Sequence, residues 1–173
     1  MTNILRHSLT AGLILISQAN AFAAENVEKI YIDADYMQLN IETGYSVYIG
    51  NVNIKQGELK LTGDKVTIQQ TREEVERITV TGKPAHYNHI TDKGENIQAE
   101  SEHMIYTASK NELVMTVNAN LKQPDHQVSS QKIVYDTEKK IVIAGDKSET
   151  STGSDNKQRV NITLTPKKDP AKK

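Results

Sequence analysis

From Lys29 onward apolar and polar residues alternate with a period of two. Ile30, Ile32 and Ala34 fall on one side of an extended chain, and Tyr31, Asp33 and Asp35 on the other. Val52 and Ile54 alternate with Asn51, Asn53 and Lys55, and Leu59 and Leu61 with Glu58, Lys60 and Thr62. The cleanest run is Leu113, Met115, Val117, Ala119 and Leu121, set against Thr116, Asn118, Asn120 and Lys122. Ile141 and Ile143, then Val160, Ile162 and Leu164, continue the pattern. Alternation of this kind predicts strands with one apolar and one wet face. No stretch has a useful length of helical period; at most a turn is expected near Thr71–Val75. Turn residues punctuate the runs at Glu42-Thr43-Gly44, Gln56-Gly57, Thr62-Gly63-Asp64, Asp92-Lys93-Gly94, Pro124-Asp125 and Thr152-Gly153-Ser154. Many short strands at such spacing predict an all-β sandwich, roll or barrel.

A weak internal repeat overlies the alternation. Asp35-Tyr-Met-Gln-Leu, Asp64-Lys-Val-Thr-Ile, Glu102-His-Met-Ile-Tyr and Gln131-Lys-Ile-Val-Tyr are similar pieces whose starts lie 29, 38 and 29 residues apart. A polar residue followed by an alternating strand recurs after each hairpin. Repeats of this size predict a solenoid-like stack in which each layer buries its face on the next. Such a stack has two open ends, whose unpaired backbone groups must be capped or joined to another chain.

The first 23 residues change the picture of where the chain resides. Arg6 precedes an apolar run from Leu9 to Ile16, and Ala21-Phe22-Ala23 is a small-x-small cleavage pattern. This reads as a secretory signal peptide cut after Ala23; a bilayer span needs about 20 apolar residues. The mature chain, residues 24–173, is expected to hold one domain (24–165) and a basic, solvated tail (166–173). A net charge of −1 argues against a nucleic-acid partner. With no cysteine, stability must come from burial and hydrogen bonding alone. Seven tyrosines and many Val, Ile and Leu must supply the apolar surface, since there is no Trp and the one Phe leaves with the signal.

Catalytic signatures are absent from the sequence: no GxxxxGK[ST] phosphate loop, no GxSxG elbow, no HExxH zinc site. His86 and His89 are the best metal candidates, but residues three apart on a strand point to opposite faces. Asp33 and Asp35 share a face that is the polar one, where solvated charges are ordinary. No enzymatic activity, metal or cofactor is expected. What remains is the apolar face itself, and periodicity does not say whether it encloses side chains or a lipid.

Tyr48-Ile-Gly-Asn-Val-Asn-Ile-Lys-Gln-Gly and Leu61-Thr-Gly-Asp-Lys-Val-Thr-Ile resemble the OstA-like LptA family of periplasmic lipopolysaccharide-transport proteins. So do Ile30-Tyr-Ile-Asp-Ala-Asp, Gly82-Lys-Pro-Ala-His-Tyr87 and Lys132-Ile-Val-Tyr-Asp, collinearly from about Ile30 to Leu164. The resemblance implies an open, twisted, V-shaped β-jellyroll of about sixteen antiparallel strands with an apolar interior for lipid A acyl chains. It implies head-to-tail self-association, with LptC at the N-terminal edge and LptD at the C-terminal edge. Carried over, Ile30 and Ile32 match the apolar pair of the first strand, Tyr87 an inward aromatic, and Tyr106 an inward Tyr. Alternation adds Val52, Leu61, Val66, Met115, Val117, Ile133 and Ile143 to the expected groove lining. The resemblance implies transport without catalysis; the alternatives are an LptC-like or other β-fold adaptor that binds proteins but not lipid, and a hydrolase.

Overall fold

The computed structural model describes residues 28–71, 74–145 and 159–166. The signal peptide, the Thr152-Gly153-Ser154 turn and the tail beyond Pro166 lie outside the described residues. The strands are β1 (Ile30–Asp33), β2 (Tyr36–Asn40), β3 (Tyr45–Gln56), β4 (Leu59–Gln70), β5 (Val75–Ile90), β6 (Asn96–Thr107), β7 (Glu112–Lys122), β8 (His126–Asp136), β9 (Ile141–Ala144) and β10 (Asn161–Leu164). A single 3-10 turn, Ala108–Lys110, leads from β6 into β7. All ten strands join one antiparallel sheet in the order β1-β3-β4-β5-β6-β7-β8-β10. β2 lies beside β1 along the free edge of β3, and β9 beside β10 along the free edge of β8. Chain neighbours are therefore sheet neighbours, so the expected solenoid of stacked turns is a meander of hairpins.

The ladders of the six long strands, β3 to β8, shift register near their middles, and the β4–β5 ladder shifts again at its end, between Gln69 and Gln70. The ladders shift register at Ile49/Val52, Thr62/Lys65, Thr81/Ala85, Glu100/His103 and Thr116/Ala119, so the breaks form one row across the sheet. Extra residues on one strand of a pair bend it and sharpen the twist. A row of them folds the sheet in two. One half holds β1, β10 and the segments around Val52–Gln56, Leu59–Thr62, Ala85–Ile90, Asn96–Ser101, Ala119–Lys122 and His126–Ser130. The other holds β2, β9 and the remaining segments. Among the described residues there are ten strands against the expected sixteen, because each long strand stays extended through its register shift and counts once. Thr62-Gly63-Asp64, expected as a turn, is such a bend inside β4.

Local chemistry explains the bend. Gly50 has φ +82°, and a Cβ there would overlap the Asp35 carboxylate at 2.3 Å. Gly63 packs so close to β5 that a Cβ would come within 2.8 Å of the Thr81 carbonyl oxygen. Asn51 and Asn118 also take positive φ, which Asn tolerates better than most residues. Their amides tie the bend together: Asn51 donates to Asp35 (2.9 Å), and Asn118 donates to Glu102 (3.0 Å) while accepting from Gln131 (3.4 Å). Asp35, Glu102 and Gln131 open three of the four repeat pieces, and the fourth, at Asp64, falls on the same row. The repeat marks every second crossing of the bend.

Folding in half lets one apolar face bury itself. A single cluster joins Val52, Ile54, Leu61, Ala85, Ala99 and Leu121 of one half to Val66, Ile68, Val80, Met104, Met115, Ile133 and Tyr135 of the other. On β4, β5, β6 and β8 the buried positions change parity at the bend, from Leu61 to Val66, Val80 to Ala85, Ser101 to Met104 and Ser130 to Ile133, whereas β3 and β7 keep theirs. Alternation therefore holds within each half-strand and crosses the bend only on β3 and β7. The hairpin ends are fixed by side-chain caps: the Asn40 amide oxygen accepts from the N–H groups of Glu42 and Thr43, and the Asp136 carboxylate from those of Glu138 and Lys139.

Two substitutions separate core from bend. Met115, with no exposed surface, becomes a cavity in Met115→Ala, with an expected loss of about 2–5 kcal/mol in chemical denaturation. Val117 is β-branched yet held at φ +65°; Val117→Asn removes that conflict and is expected to raise stability by about 1 kcal/mol in the same assay.

Candidate functional site

The inner face continues beyond the packed centre to both ends of the sheet. At the N-terminal end, register places Ile30 and Ile32 opposite Gln56 and Ile54, and Met37 and Leu39 opposite Tyr48 and Ser46. Ile54 and Ser46 are buried, so all four apolar side chains extend the inner face. Ile30, Met37 and Leu39 nonetheless remain exposed. At the C-terminal end Ile162 lies opposite buried Val128, and Val142 and Ala144 opposite buried Tyr135 and Ile133. Ile162 and Leu164 are 61% and 71% exposed. Apolar surface is thus left open where the sheet has no further strand among the described residues.

Between the lips of the two halves lies an apolar cleft of about 300 Å³. Ile30, Leu59, Leu61 and Tyr87 line it from one half, and Val75, Ile78, Tyr106 and Leu113 from the other. Gln56, His89 and Thr137 are its polar members. The Tyr87 hydroxyl lies 3.3 Å from His89 Nδ1, the two rings meeting edge to face. Burial, with nearby Tyr135 and Tyr106 adding to it, holds the Tyr87 phenol well above its usual range. Burial also raises Tyr135. Both rings therefore present neutral hydroxyls in this interior.

Of the residues expected to line a groove, Ile30, Leu61, Tyr87 and Tyr106 meet in this cleft, and Ile32 packs beside it against the core. Val52, Val66, Met115 and Ile133 form the packed wall, at 0–1% exposure. Two expectations on orientation fail. Val117 sits in the bulge, exposed, because the break between Thr116 and Ala119 removes it from the alternating row. Ile143 pairs with Val134 on the outer face and is 60% exposed, because the turn through Lys140 (φ +58°) delivers Val142 and Ala144 inward instead. Leu59, Val75, Ile78, Leu113, Met37 and Leu39 were not singled out as lining. Ile78 and Leu113 were visible as alternating positions, but which end of a strand reaches the lip depends on where the bend falls.

The candidate chemical groups are scattered. His86 lies 3.8 Å from Glu100 with both side chains about half exposed, while His89 turns to Tyr87. Asp35 is held by Asn51 at the bend, and Asp33 ends β1. Among the described residues no three His, Asp or Glu side chains converge on a metal position.

An unclosed antiparallel sheet, folded over a single apolar inner face that reaches both ends, places the chain among open β-jellyrolls. The family described as "LptA/(LptD N-terminal domain) LPS transport protein" matches residues 31–141. Lipopolysaccharide export system protein LptH of Pseudomonas aeruginosa is 32% identical over 154 residues, covering 88% of this chain and 87% of that one. Lipopolysaccharide export system protein LptA of Escherichia coli K12 is 31% identical over 129 residues, covering 72% and 70%. The crystal structure of LptH, the LptA-homologous periplasmic component of the lipopolysaccharide transport device of P. aeruginosa, superposes with a TM-score of 0.70 at 31% identity, covering 80% of this chain and 96% of that one. The chain belongs to the LptA family of lipopolysaccharide transport proteins.

The raised tyrosines set a pH limit. A phenol whose folded-state pKa is raised contributes stability that is fully present below the unfolded value, near 10, and is lost as pH rises beyond it. Stability is therefore expected to fall above pH 10, and Tyr87→Phe to flatten that fall; a phenolate absorbance titration beside denaturant midpoints checks both.

Proposed function

We propose that this chain is a periplasmic carrier of lipopolysaccharide, one unit of a bridge between inner and outer membranes. The observation that supports it most is the apolar inner face, which runs through the core and stays uncovered at both open ends. A buried CH₂ is worth about 0.8 kcal/mol, so a lipid A acyl chain of a dozen carbons would cost roughly 10 kcal/mol to expose to water. A continuous apolar path avoids that cost at every step. Ile30, Ile32, Leu61, Tyr87 and Tyr106 are the proposed acyl contacts, with Val52, Val66, Met115 and Ile133 as the wall behind them. The neutral tyrosine hydroxyls avoid a fixed charge that would hold the lipid in place. The energy for movement must come from elsewhere, since no energy-converting motif is present in the sequence.

Sheet polarity supports end-to-end assembly. The N-terminal tier runs from β1 in one half to β2 in the other, and the C-terminal tier runs back from β9 to β10. The two ends are thus oppositely directed. A second copy docks with β2 against β9 and β1 against β10 in antiparallel register, extending both half-sheets by strand addition. Family resemblance assigns the N-terminal edge to LptC, itself of this fold, and the C-terminal edge to LptD; the free strand edges at both ends are compatible with that assignment.

A photo-crosslinking residue at Ile32 is expected to capture lipopolysaccharide, and one at Asn118 on the outer bend to capture none. Ile32→Asp is expected to weaken capture by about tenfold or more with the circular dichroism unchanged. Absence of an adduct at Ile32 in a folded protein would leave the adaptor reading in its place. Met37→Lys with Leu39→Lys is expected to abolish concentration-dependent assembly in sedimentation velocity while leaving the monomer folded.

A further inference from the structure

A second cleft lies on the outside of the molecule, and its chemistry differs from that of the apolar interior. It measures about 890 Å³ and lies on the outer face of the half that contains β2 and β9. Six of its residues form two adjacent cross-strand rows. Tyr45, Gln69, Arg77 and Thr107 are successive partners across β3 to β6, and Thr67 and Thr79 are partners in the next row. With strands about 4.8 Å apart, the first row spans about 14 Å. The start of β5 and the 3-10 turn wall the cleft on one side.

The side chains suit a hydroxyl-rich ligand. Tyr45 offers a ring that is 43% exposed, a rigid amphipathic surface. Arg77 is exposed and takes part in no ion pair among the described residues, so its fork of donors is available. Gln69 spends its Nε2 on the Thr43 and Gln70 carbonyls (3.0 and 3.2 Å), which fixes the amide and leaves Oε1 without a hydrogen bond. Four threonines, Ser109 and the carboxylates of Glu74 and Glu76 complete a mixed set of donors and acceptors. An aromatic face amid such groups matches a saccharide, whose ring has apolar C–H faces and a hydroxyl rim.

The position of the cleft names the saccharide. Val75 and Ala108 line both this outer cleft and the inner apolar one, so the two share a wall at the lip of the half. An amphiphile with its chains in the inner cleft and its head at the lip has this polar cleft directly over the edge. We propose that the outer cleft binds the sugar portion of the carried glycolipid, turned outward over Val75 and Ala108. The assignment to the carried lipid rests on the proposed transport function; saccharide binding by the cleft does not.

The test uses the full mature chain and the lipid-free oligosaccharide released from lipopolysaccharide by mild acid, with a tetramer of N-acetylglucosamine for comparison. Amide shifts in two-dimensional NMR are expected to concentrate on Tyr45, Gln69, Arg77 and Thr107 and to saturate with an affinity on the order of 1 mM, as suits an exposed cleft. Tyr45→Ala and Arg77→Ala are each expected to weaken binding about tenfold. Tyr31→Ala, an exposed aromatic on the other half, should leave it unchanged. Shifts with the tetramer alone would overturn the assignment to the carried lipid. No saturable shift at these residues with either sugar, in a folded protein, would overturn the site. Lipid capture at Ile32 is read separately in the Tyr45→Ala protein, so loss of sugar binding with capture intact tells this site from the transport reading.

Discussion

A sheet that is apolar on one face only must find a cover for that face, and among the described residues there is no α-helix and no second sheet to provide one. The cover is the sheet itself. Everything else follows from the row of register breaks that lets six strands bend at the same level. Without it the alternating faces would form one long, flat, half-greasy sheet, the kind most prone to edge and face association. With it, two half-sheets close on each other like a book, and the residues that fill the fold are the ones that alternation placed on a common side. The polar ladder of Asp35, Asn51, Glu102, Asn118 and Gln131 holds the spine from outside.

The same bend produces the functional geometry. Two half-sheets joined along a spine touch firmly near it and part at the opposite margin, which is where the apolar cleft opens. Because the tiers continue through both halves, the apolar inner face runs past the packed centre to both ends of the sheet. Its uncovered ends coincide with the two unpaired strand edges. Backbone hydrogen-bonding capacity and uncovered apolar surface therefore sit at the same places. A neighbour that satisfies one necessarily covers the other.

Much of this was legible in the chain. Alternation from Ile30 to Leu164 marked the strands and most inward positions, and family resemblance supplied the open jellyroll and the transport role. The repeat at Asp35, Asp64, Glu102 and Gln131 was visible, but its meaning was not: it records crossings of a bend, and consecutive pieces do not stack as solenoid layers. Val117 and Ile143 were misread because a period of two is a local rule. A bulge lifts Val117 out of a row that Leu113, Met115, Ala119 and Leu121 otherwise keep, and the left-handed Lys140 resets the phase before Ile143. Gly63 read as a turn because a glycine required by close strand approach looks the same in sequence as one required by a reversal. The outer cleft was hidden because its two rows draw six residues from four strands that meet only through register.

Among the described residues the sheet has eight tiers from end to end, and eight is even. Any change of length that keeps the ends able to meet their counterparts must also be even, since one added strand would turn the terminal edge around. The natural increment is a hairpin, which lengthens the unit by about 10 Å. Reach across a compartment can thus be tuned in two ways, by hairpins within a unit or by the number of units, and neither requires a new kind of joint.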